Sequence, residues 1–148
     1  MPLREGLTFA HHALVGAGLR DRIRLGASGK IATAFDMARA IALGADWCNA
    51  ARGQRFHAAT LEALGELVAA AGLDHPCDLR PEHFWRRVSL HEVRSFAALF
   101  PAPEPGEFLR GTDDPRFRDL WEMADPHSFA PRQPPRGVTD AWLEAASA

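Results

Sequence analysis

Apolar residues recur at helical spacing from the start of the chain. Leu3, Leu7, Ala10, Leu14 and Ala17 share one face, predicting an amphipathic helix over 3–18 whose end Gly16 and Gly18 weaken. The period then changes. Arg22, Ile23, Arg24 and Leu25 alternate polar and apolar, as a short strand with two unlike faces does. A small-residue turn, "GASGK", follows, and Thr33 with Asp36 three positions on has the form of a capping box. Ala34, Met37, Ala38, Ile41 and Ala42 give the next helix its face, and Gly44 its stop. "ADWCNAA" reads as a second strand ending at Arg52 and Gly53. A further helix is expected over about 56–71, with His57, Leu61, Leu64, Val68 and Ala71 in register and Gly72 closing it.

Beyond Gly72 the periodicity weakens. Pro81 is placed to start a short helix through "EHFWRRV", and Ser89 with Glu92 forms a second capping-box pattern before "LHEVRSFAALF". Eight of the eleven prolines lie after residue 100, with short helical possibilities at 117–123 and 139–146. This tail is expected to wrap over a surface. The order helix, strand, helix, strand predicts a parallel βαβ unit. Two short parallel strands leave both edges and a face open, so the pattern implies either a helical bundle with a small ribbon or a piece of a larger sheet.

Candidate chemistry concentrates after the first strand. Gly26 and Gly29 bracket only two residues and Ile31 follows Lys30, so this is not a Walker A loop. The general device remains: Ser28 and Gly29 offer close backbone approach beside a helix start, and Lys30 adds charge. Lys30 is the sole lysine among seventeen basic residues. One βα unit later, "AARG" places Arg52 and Gly53 after the second strand. In a parallel barrel, the loops after the last strands lie side by side and commonly share a phosphate.

The run "PLREGLTFAHHALVGAGLRDRIRLGASGKIATAFDMARAIALGADWCNAARG" closely resembles the end of the FMN-binding barrel of the glutamate synthase large-subunit family. "LEALGELVAAAGLDHPCDLRPEHFWRRVS" and "HEVRSFAALFP" resemble the C-terminal extension of its bacterial FMN-binding branch. The resemblance implies an α/β fold, the C-terminal α-β-α-β portion of a (β/α)8 barrel. It divides the chain at 1–72 and a helical, Pro-rich extension at 73–148, mostly helical by residue count. It implies FMN as cofactor, with Ser28, Gly29 and Lys30 in the loop after the penultimate strand and Arg52 and Gly53 after the last, near the phosphate. The family converts 2-iminoglutarate, formed from 2-oxoglutarate and ammonia, into L-glutamate. Here Arg52-Gly53 runs straight into "QRFHAATLEAL", where the family has a cysteine-rich segment holding a 3Fe–4S cluster. Neither Cys48 nor Cys77 matches a ligand, so no cluster is expected. The earlier barrel strands are also missing. The chain is therefore expected to be inactive alone, with no catalytic residue of its own, and either completed by a separate chain or another copy, or degenerate.

Other features narrow the field. A net charge of −2 and a pI of about 6.4 give no global field for nucleic acid or anionic membrane. "MPLREGLTF" lacks an apolar run, so neither a signal peptide nor a membrane span is expected. Two distant cysteines read as reduced, buried thiols of a cytoplasmic protein. His11 and His12, adjacent on a helix, point in different directions and read as surface residues, His57 reads as packed, and no histidines have metal-ligand spacing. Arg24 faces a ligand if a barrel is present and solvent if not. The alternatives to a glutamate synthase-like role are a non-catalytic helical interaction module and a free-standing phosphate binder.

Overall fold

The computed structural model describes residues 2–50, 54–125, 127 and 128. Helix α1 spans Leu3–Gly16, strand β1 Gly26–Ser28, helix α2 Ala34–Ala42, strand β2 Trp47–Asn49 and helix α3 Gln54–Ala70. Strands β1 and β2 pair in parallel, with Gly26 opposite Trp47, Ala27 opposite Cys48 and Ser28 opposite Asn49. The expected crossover is thus present, with α2 as its helix.

Local chemistry explains most of these bounds. Thr33 Oγ1 accepts from the Asp36 N–H while the Asp36 carboxylate accepts from the Thr33 N–H, a complete capping box at the start of α2. The buried side of α2 carries Ala34, Ala38 and Ala42. Short side chains there let the helix lie close against the strands and α3. Helix α3 buries Thr60, Leu64 and Val68, while His57 and Leu61 are exposed. Its inward stripe is therefore rotated from the expected one, and Thr60 can be buried there because its hydroxyl donates back to the Phe56 carbonyl.

Gly44 ends α2 at a φ of +106°. A Cβ there would lie 2.3 Å from the His11 ring. Gly44→Ala therefore combines an unfavourable backbone with overpacking, and is expected to cost about 2–3 kcal/mol, read as a lower urea midpoint at unchanged slope.

Three expectations are corrected. Residues 22–25 are not a strand: Arg20–Arg22 form a 3₁₀ turn and pairing begins only at Gly26. Pro81–His83 is a single 3₁₀ turn, after which Trp85–Arg87 form strand β3 and pair antiparallel with β4, Val93–Ser95. Ser89 and Glu92 lie in the hairpin turn, where the N–H groups of Val88 and Ser89 donate to the Glu92 carbonyl. The helix cap is Ser95, whose hydroxyl accepts from the Ala98 N–H at the start of α4, Phe96–Leu99.

One apolar core joins these elements, running from Leu7 and Ala27 through Met37, Leu43 and Val68 to Phe84 and Phe96. A second, aromatic cluster lies against α1. Phe117 stacks on Phe9 with centroids 5.1 Å apart, and Phe108 meets Phe117 at 5.0 Å. Trp121, from helix α5 (Arg118–Glu122), closes it 5.4 Å from Phe108. The segment after residue 100 thus packs over α1, as a wrapping tail does. The helix expected at 139–146 lies outside the described residues.

Candidate functional site

Both loops singled out in the sequence leave the same end of the β1–β2 pair. Ser28 is the last residue of β1, exposed, and lies beside Asn49, the last of β2. Gly29 follows at a φ of +104° with no atom within 4 Å of a Cβ position, so the space above it is open. Lys30 is also in the left-handed region, at +56°, which costs a non-glycine residue about 1 kcal/mol. Ile31 then turns inward and is only 4% exposed. The turn is anchored from behind while Ser28, Gly29 and Lys30 face solvent. Arg52 and Gly53 lie outside the described residues.

The adjacent helix start is less available than the sequence implies. The Asp36 carboxylate accepts from the N–H groups of Ala32 and Thr33 and from the Thr33 hydroxyl, and pairs with Arg39. Burial raises this carboxyl, but the Thr33 hydroxyl, both N–H groups and Arg39 outweigh it and hold the group below its ordinary range. A fixed anion already sits at the N-terminus of α2. The open approach and the cation lie at the turn of Gly29 and Lys30, not at the helix end.

The opposite end of the strand pair holds a charge network that the sequence did not reveal. Asp46 Oδ2 accepts from Arg20 Nη2 at 2.8 Å and from the Leu25 N–H at 2.7 Å, and Oδ1 from Arg24 Nη1 at 3.1 Å. Arg20 also donates to the Gly44 and Ile23 carbonyls and to His11 Nδ1, each at 2.9 Å. One guanidinium thereby ties α1, the approach to β1, the end of α2 and the start of β2. No local pattern connects residues 20 and 46; the parallel register brings them together. Burial pushes the Asp46 carboxyl up, and its hydrogen bonds from Leu25, Arg24 and Arg20 pull it down further. Arg24 is therefore an ion-pair partner, though its side chain is 77% exposed. This network walls a cleft of about 560 Å³, with Trp47, Arg80 and Phe100 on its other sides.

The histidines have structural roles. His11 accepts from Arg20, and burial together with that cation keeps its pKa below the ordinary value. His12 is 4% exposed, not a surface residue, and burial, then the neighbouring His11 and Arg116, bring its pKa down to about 4. His75 and His83 accept from nearby backbone N–H groups in the 3₁₀ turns. His57, expected to be packed, is exposed. Cys48 is half-buried and Cys77 exposed, so only the first approaches the expected burial; both are free thiols. No cluster of three or more metal-ligating side chains occurs among the described residues. No helix among them is long and apolar enough to cross a membrane.

A parallel strand pair with an open, glycine-bearing, cationic turn at its C-terminal end is the geometry α/β proteins use to hold phosphates. Residues 1–59, which contain that unit, match the family model described as the conserved region in glutamate synthase. The chain is 39% identical over 64 residues to the glutamate synthase large subunit-like protein YerD of Bacillus subtilis (strain 168), covering 43% of this chain and 12% of that protein. Through this segment the chain is similar to the glutamate synthase family. It spans only a small part of the length of the curated relative it matches. No solved structure matches it.

Proposed function

We propose that the chain supplies the phosphate end of an FMN site in a partial (β/α)8 barrel of glutamate synthase type, completed by strands from a separate chain. The observation that carries this reading is the position of the open turn, Ser28, Gly29 and Lys30, inside the segment that matches glutamate synthase. In this reading the Ser28 hydroxyl and the Gly29 backbone approach the phosphate oxygens. Lys30 balances their charge, and Arg52 and Gly53 meet the same group from the next loop.

FMN, when bound, would supply the electron transfer that reduces 2-iminoglutarate to L-glutamate. This chain's residues hold and orient the phosphate and take no part in the bond changes. Two three-residue strands cannot enclose a flavin ring, so the remaining walls and the substrate contacts belong to the completing chain. The chain alone is therefore inactive, and it carries no 3Fe–4S cluster. The same reading puts the reaction in the cytoplasm, a reducing compartment with which two free thiols are compatible.

Flavin titration followed by absorbance tests the reading, with the chain alone and then mixed with a candidate barrel-supplying chain. FMN is expected to be retained by the mixture and riboflavin to bind more weakly, since it lacks the phosphate. Lys30→Ala and Arg52→Ala should each weaken FMN binding about tenfold or more, the loss expected for a charge-assisted contact. Equal FMN binding by wild-type and both variant mixtures would remove the site assignment.

A further inference from the structure

The cleft at the far end of the strand pair from the flavin turn holds polar groups that the fold leaves unused. Thr8, His11 and His12 share one face of α1 and line it, and the chain around the Pro81–His83 turn adds Arg80 and Glu82. The Thr8 hydroxyl is satisfied by the Arg4 carbonyl. His12 is 4% exposed, and no hydrogen bond among the described residues reaches either of its ring nitrogens. Glu5 Oε2 is the sealed side-chain oxygen or nitrogen left without a partner among the described residues. The His12 nitrogens are therefore not sealed, and they open onto the cleft that the residue lines. A nearly buried polar group without a protein partner marks a place for water or a ligand. His11 adds a second donor. Its Nδ1 accepts from Arg20, so its proton lies on Nε2, which no hydrogen bond among the described residues uses.

We propose that this cleft binds a small organic monocarboxylate with an apolar body. Its volume of about 560 Å³ is that of a small-molecule site. Three arginines, Arg20, Arg24 and Arg80, line it with two carboxylates, Asp46 and Glu82, so one positive charge is left over in a chain of net charge −2. Both histidines are neutral near pH 7, since burial holds each below its ordinary pKa. Asp46 takes Arg20 and Arg24, whereas no ion pair among the described residues holds Arg80. Arg80 is thus the cation available to a ligand, and one carboxylate matches it better than a phosphate dianion does. The His11 Nε2–H and a His12 N–H are neutral donors for the carboxylate oxygens. Glu82, also outside the ion pairs, repels a second carboxylate, which disfavours dicarboxylates. Ile41, Trp47 and Phe100 give the walls apolar surface for a hydrocarbon chain or ring. The site is independent of the flavin reading, which concerns the other end of the strands.

Isothermal titration calorimetry of the full chain with phenylacetate and with hexanoate, without flavin, tests the proposal. At least one of them should bind at a single site with a Kd of about 1 mM or tighter. Phenylacetamide, glutarate and inorganic phosphate should each bind more weakly, by about tenfold or more. Arg80→Gln and His12→Phe should each weaken carboxylate binding about tenfold or more. Arg22→Gln, exposed and outside the cleft, should bind as the wild-type chain does. Far-UV circular dichroism checks the fold of each variant. If His12→Phe unfolds the chain, heteronuclear NMR of the wild-type imidazoles replaces it: the His12 nitrogen resonances should move on saturation with the bound carboxylate. No binding of either carboxylate at about 10 mM overturns the proposal. Binding indifferent to Arg80→Gln, equal binding of the amide, or unmoved His12 resonances overturns it as well. Phosphate bound more tightly than both carboxylates also overturns it, and gives the cleft to a phosphate.

Discussion

Phe108→Ala is expected to destabilise the chain by about 3–5 kcal/mol, measured as a lowered urea midpoint in equilibrium unfolding. The ring is 3% exposed and lies between Phe117 and Trp121. It also covers the end of α1 so closely that a Cβ on Gly16 would fall 2.4 Å from it. Removing it leaves a cavity bounded by rigid rings and a helix backbone, which cannot collapse into the space. Leu109 next to it is 69% exposed, so Leu109→Ala should cost less than about 0.5 kcal/mol. Equal effects at the two positions would mean that the segment after residue 100 does not pack on α1.

The second large effect is acid sensitivity. His12 is neutral when folded, with a pKa of about 4, whereas an unfolded histidine titrates near 6.5. Between those values the unfolded chain binds the extra proton. Stability is therefore full above about pH 6.5 and falls as the pH drops toward 4, by about 3 kcal/mol in all. His12→Gln, which cannot take up the proton, should remove most of the slope of unfolding free energy against pH over that window, leaving the part that His11, also held below its ordinary pKa, contributes. The Asp46 carboxyl, held below its ordinary range, contributes stability above the unfolded carboxylate pKa and loses it at still lower pH. The two losses are separable because His12→Gln leaves the lower one in place. A wild-type profile flat between pH 7 and 4 would contradict the burial of His12.

Where a structural signal is local, the sequence carried it. Thr33 and Asp36 form the capping box their spacing implies, Gly44 stops α2, and Gly72 follows α3 at a φ of +72°. The parallel pair also follows from the order of elements. The pattern misled where one spacing serves two structures. Ser89 and Glu92 stand three apart in a hairpin turn as readily as at a helix start, and Trp85–Arg87 have the aromatic and extended character of a strand. Long-range electrostatics left no trace at all: Arg20 meets Asp46 through strand register, and no spacing in the sequence links the two. For the candidate site, the turn at Ser28–Lys30 was legible from its glycines. The prior claim of Asp36 on the neighbouring helix end was not, because a capping box looks favourable on its own.

The two packing clusters close loops of very different size. The β1–α2–β2 unit joins residues about twenty apart, whereas Phe108 meets Gly16 across about ninety. The longer closure costs about 1 kcal/mol more chain entropy and returns nothing until both ends are in place. The strand pair and α2 can therefore assemble early from local contacts, with the aromatic segment closing over α1 as a late folding step. Its amides are expected to open before those of the strand pair in hydrogen exchange, so this late-closing segment sets the threshold for partial unfolding while the strand pair stays intact.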